Sequence, residues 1–70
     1  MWTVINQIFT TNESKNSWAH LAYDNAWHKV APNTADGVTN VNLVLAIAKA
    51  SGKQVRVEMN NTKQITQVYL

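Results

Sequence analysis

Seventy residues suffice for one domain, 1–70, and a chain this short is only marginally stable on its own core. The absence of cysteine excludes disulfides and thiolate-bound metal, which leaves subunit contacts as the remaining source of extra stability. The six Lys and Arg residues are scattered and the formal charge is only +2, which excludes the clustered basic footprint of a dedicated nucleic-acid binder.

In chain order, residues 2–10 are rich in aromatic and β-branched side chains and read as a first strand. The apolar pairs Val4-Ile5 and Ile8-Phe9 interrupt its alternation, which points to a strand covered on both sides or to a bulge. Residues 11–17 form a polar loop. Residues 18–31 read as a hairpin turning at Asp24-Asn25, with Ala22 opposite Trp27. One of its faces carries Ala19, Leu21, Tyr23, Ala26, His28 and Val30 and reads as core. The other carries Trp18, His20, Ala22, Trp27 and Lys29 and is aromatic and weakly basic.

Residues 32–38, with Pro32 and Asp36-Gly37 as breakers, read as a turn region. A helix follows over about residues 40–51, capped by Thr39 or Asn40 and ended by Gly52. At about 100° per residue, Val41, Val44, Leu45 and Ala48 form one apolar stripe of this helix. Leu43, Ala46, Ile47 and Ala50 form a second stripe on roughly the opposite side. A helix lying on its own domain needs only one such stripe. Leu43, Ala46, Ile47 and Ala50 are therefore the expected interface with another copy of the chain. Residues 54–59 alternate cleanly as a strand, residues 60–63 turn, and residues 64–70 form the last strand.

The order β-β-β-α-β-β predicts a β-rich α+β domain: a five-stranded OB-like barrel with one helix between strands three and four. The segment Asn40-Val41-Asn42-Leu43-Val44-Leu45-Ala46-Ile47-Ala48-Lys49-Ala50-Ser51-Gly52-Lys53-Gln54-Val55-Arg56-Val57 resembles the helix and following strand of Shiga-toxin-type B subunits. The closing Ile65-Thr66-Gln67-Val68-Tyr69-Leu70 is similar to that family's last strand, so the resemblance lies mainly over residues 40–70. It implies a ring-shaped pentamer with the helices lining a central channel and the outer faces binding cell-surface glycans. It also implies sugar contacts at Asn60, after the fourth expected strand, and in the loop carrying Asn12 and Glu13.

For chemistry, Trp18, His20, Trp27 and Lys29 on one hairpin face have binding character, because aromatic rings stack on sugars and on bases. His20, Asp24 and His28 would share a face on a helix and could ligate metal there. On a hairpin His20 and His28 face opposite ways, so no metal and no cofactor are expected. The four acidic residues are isolated from one another, and no nucleophile sits beside a base, so no enzymatic activity is expected. The expected function is that of an oligomeric small binding protein, with carbohydrate as the ligand class. The alternative is an OB-type protein that binds single-stranded nucleic acid on the same aromatic face. No stretch approaches membrane-spanning length. No basic start with a long apolar run is present, so the chain is expected to be intracellular or already relieved of a leader, and its localisation stays open.

Overall fold

The structure is a computed structural model that describes residues 1–70. Its elements are β1 (Trp2–Thr3), β2 (Ile5–Thr10), β3 (Ser17–Leu21), β4 (Ala26–Lys29), α1 (Ala35–Ser51), β5 (Val55–Met59) and β6 (Ile65–Tyr69). The strands form two antiparallel three-stranded sheets, in the orders β1-β5-β6 and β2-β3-β4.

This architecture corrects the expectation of a five-stranded OB-like barrel. There are six strands in two sheets, the barrel is not closed, and the helix follows the fourth strand. The physical cause lies at Val4. Its carbonyl accepts from the N–H of Ala22 (3.0 Å), which lies opposite it in the β2–β3 register, and from the Thr3 hydroxyl (2.9 Å), so the chain turns to the second sheet just before it. The expected first strand therefore breaks in two: Trp2–Thr3 pairs with β5, and Ile5–Thr10 pairs with β3. On the other side of the molecule the sheets meet only at one isolated parallel bridge between Val30 and Ile65, beside a 2.8 Å bond from the Ala31 N–H to the Ile65 carbonyl.

The helix begins five residues before its expected start at residue 40. Thr34 is the N-cap, with extended backbone, and its hydroxyl accepts from the Gly37 N–H at 2.9 Å. Asp36 lies in the first turn, where the helix dipole favours a negative charge. Gly37 does not break the helix, because its backbone-entropy cost of about 1 kcal/mol is offset in the first turn by the bond from its N–H to the cap. A Cβ at position 37 would come within 2.9 Å of the Thr34 hydroxyl, so glycine is what leaves room for the cap. The C-terminal end is where Gly52 was expected to place it. Gly52 adopts φ 67°, and its N–H donates to the Ala48 and Lys49 carbonyls.

The core consists of Ile5, Ala19, Leu21, Val30, Val38, Leu45, Ala48, Val55, Val57 and Ile65. Leu45 and Ala48 are fully buried, and the helix contacts β2 and β3 of one sheet and β6 of the other. Val41 and Val44 lie half-buried at the margin of this seam. On the opposite flank Leu43 is 58% exposed and Ile47 54%, with Ala46 and Ala50 exposed beside them.

The β3–β4 hairpin turns through residues 22–25 and pairs Leu21 with Ala26, so the expected Ala22–Trp27 register is displaced by two residues. Side chains alternate with a period of two, so the paired residues 18–21 and 26–29 keep their expected faces, whereas Ala22 and Tyr23 fall in the turn and Tyr23, expected in the core, is exposed. A bulge in β2 between Ile5 and Gln7 accounts for the interrupted alternation of the first strand.

Two substitutions test this core and cap. Leu45→Ala should lower the unfolding free energy by about 2–5 kcal/mol in urea titration. Thr34→Ala should lower it by about 1 kcal/mol, through loss of the cap alone.

Candidate functional site

The outer face of the β2-β3-β4 sheet is built by register. Phe9, Trp18 and Lys29 stand side by side across the three strands, and Gln7, His20 and Trp27 form the next row. Directly opposed side chains on antiparallel strands lie about 5 Å apart, so each row is continuous. Phe9 is 49% exposed and Trp27 44%, with Trp18 half-buried between them. Together these three rings line a shallow apolar depression of about 370 Å³.

Polar neighbours hold the rings in place. The Trp18 indole N–H donates to Asn16 Oδ1 at 3.0 Å. The Lys29 ammonium lies 5.8 Å from the Trp18 ring centroid, within range of a cation–π contact. His20 meets Trp27 edge-on, with centroids 5.3 Å apart. The Asn6 side-chain amide contacts His20 Nδ1 at 3.0 Å; if the NH2 donates, Nδ1 is the acceptor.

His28, on the inner face of the hairpin, is only 5% exposed and is hydrogen-bonded at both ring nitrogens. Nδ1 contacts the Lys63 carbonyl at 3.0 Å, and Nε2 contacts Asp24 Oδ2 at 2.7 Å. A carbonyl only accepts, so Nδ1 donates. At Nε2 the ring is hydrogen-bonded to the Asp24 carboxyl group. Through these bonds His28 ties the β3–β4 turn to the β5–β6 turn. Tyr23 stacks beside it, with ring centroids 6.5 Å apart.

Two further concavities border the aromatic face. A polar cleft of about 150 Å³ lies between the loop after β2 and the start of α1, lined by Glu13, Lys15, Asn16, Ser17, Thr39 and Asn42 among others. At its floor the Ser17 hydroxyl donates to Asn42 Oδ1 at 2.8 Å. Asn16 belongs to both regions, because it lines this cleft and orients Trp18. A groove of about 410 Å³ runs along the other side, between Trp27 and Lys29 on one wall and Thr62, Lys63 and Gln64 on the other.

The structure thus brings Trp18, His20, Trp27 and Lys29 together on one face. Glu13 lies apart from them, at the polar cleft, and Asn12 is exposed in the same loop. Asn60 is taken up by its own turn: Oδ1 accepts from the Thr62 hydroxyl and from the Thr62 and Gln64 N–H groups. His20 and His28 lie on opposite faces of the hairpin, and no three His, Asp or Glu side chains come together. Sequence reasoning missed Phe9, Asn16 and Lys63 as members of the site. The pair Ile8-Phe9 held the signal for Phe9, since adjacent strand residues point to opposite faces. The chain matches no family model, no curated protein and no solved structure. No helix is long and apolar enough to cross a membrane.

Replacing His28 by Leu leaves the Lys63 carbonyl and the Asp24 carboxylate without their partner. The variant should lose about 1–3 kcal/mol of stability in chemical denaturation, and His28→Gln, which can still donate, should lose less.

Proposed function

We propose that this protein is a non-enzymatic, self-associating binding protein that holds a carbohydrate on its β2-β3-β4 face. The observation that carries this reading is the shelf of Phe9, Trp18 and Trp27, three rings left open on a rigid sheet. The apolar C–H faces of a sugar ring stack on such surfaces, and hydrogen-bonding groups at the rim read its hydroxyls. Here Asn6, Asn16 and His20 supply that rim. Low charge supports sugar over nucleic acid, since a phosphate backbone needs several cations along its track.

The helix supports the second half of the reading. Leu43 and Ile47 stand out between Ala46 and Ala50, so a second helix can approach closely, with large side chains entering the space above small ones. Covering each large side chain is worth roughly 1.5–3 kcal/mol. The occupant that fits best is another copy of the same chain. A ring of five is the closure implied by the resemblance of residues 40–70 to Shiga-toxin-type B subunits.

Tryptophan fluorescence during titration with glycans is the direct test. Trp18→Ala and Trp27→Ala should each weaken binding by about tenfold or more, on the scale of one stacked ring. Quenching by a single-stranded oligonucleotide at low salt, with no response to any glycan, would replace this reading by nucleic-acid binding. For the assembly, light scattering should give a multiple of the 7.9 kDa chain mass. The pair Leu43→Asp and Ile47→Asp should reduce that mass to a single chain, and a wild-type monomer at micromolar concentration would refute self-association.

A further inference from the structure

We infer that the sugar held on this shelf is acidic, carrying a carboxylate or sulfate group that Lys29 and Lys63 receive. This inference rests on reading the shelf as a carbohydrate site. It comes from the charges along the groove that continues the shelf past Trp18 and Trp27.

Both walls of that groove carry a cation. Lys29 projects from β4 beside Trp18, so its charge lies next to a stacking surface. Lys63 projects from the β5–β6 turn, and its own carbonyl is fixed by the bond to His28 Nδ1. The backbone from which this second cation projects is therefore anchored to a buried side chain.

Neither lysine has a protein counter-ion. The molecule forms two ion pairs, His28–Asp24 and Arg56–Glu58. Asp24 is the only acidic residue lining the groove, and its carboxylate is engaged by His28 at 2.7 Å. With that carboxylate turned to His28, no acidic side chain pairs with Lys29 or Lys63, and both cations are left to face the groove. Glu13 lines the polar cleft instead, and Asp36 lies in the first turn of the helix. A ring stacked on Trp18 or Trp27 directs its outer substituents into this groove. A volume of about 410 Å³ is within the usual range of small-molecule sites. An anionic substituent there gains a charge-assisted contact, which a hydroxyl at the same place does not.

The experiment uses an array of matched glycans, in which uronate-terminated, sialylated and sulfated members are printed beside their neutral parents. The wild-type chain should bind acidic members over their parents in at least one of the three series, and the series identifies the acid. Lys29→Met and Lys63→Met should each reduce the acidic preference by about fivefold, as expected for a partly exposed ion pair. Lys53→Met, which lines neither shelf nor groove, should leave it unchanged. Melting curves of Lys53→Met and Lys63→Met should coincide with wild type, since neither lysine forms an ion pair, and Lys29→Met should melt only slightly lower, through loss of its contact with Trp18. Equal or better binding of the neutral parents would overturn the inference and leave the carbohydrate reading standing. An acidic preference that survives both lysine substitutions would also overturn it. Binding to no glycan at all would overturn the inference and the carbohydrate reading together.

Discussion

Leu45 and Ala48 are the fully buried points of the only helix, which packs against both sheets, and the rest of the molecule depends on that seam. A domain of seventy residues has few apolar side chains to bury, and two small sheets with a single gap between them need one covering element. The helix provides this cover with Val38, Leu45 and Ala48 and has nothing left to cover with its far side. Leu43 and Ile47 are outside because the geometry of one helix on one core puts them there. The sequence nevertheless places large apolar residues at those positions, which is the ground for proposing that a second copy covers them.

The same alternation that builds the core builds the aromatic face. In the β3–β4 hairpin Ala19, Leu21 and His28 point inward, and Trp18, His20, Trp27 and Lys29 point outward. The inward histidine is the exception to an apolar interior, and it is tolerated because both ring nitrogens are hydrogen-bonded. Its two partners lie in two different turns. One buried polar side chain thus ties the two walls of the groove together, and engages the one acid that lines it.

Much of this was legible in the sequence where a short period governs the outcome. The two faces of the hairpin were readable because a register displacement of two residues does not exchange them. The two stripes of the helix were readable for the same kind of reason, and Gly52 marked its end. The break at Val4 was not readable, because it depends on which of two sheets claims each half of a strand. The helix start was missed because Asp36-Gly37 reads as a turn until Thr34 is seen to use the glycine's empty space. Phe9 was missed for want of the bulge at Asn6, which decides the facing of everything after it in β2. Lys63 is 35 residues from His28 in the chain, so their contact leaves no local trace.

The exposed apolar surface falls into a helix flank, which we propose another copy covers, and a sheet face, which we propose stays open for ligand. Acrylamide quenching of the assembled protein, with Trp2 replaced by Phe so that only Trp18 and Trp27 report, tests that division most directly. Quenching in the assembly should be as efficient as in protein diluted to single chains. Indoles shielded in the assembly and released on dilution would show that the aromatic face is itself a subunit contact, and would contradict the account.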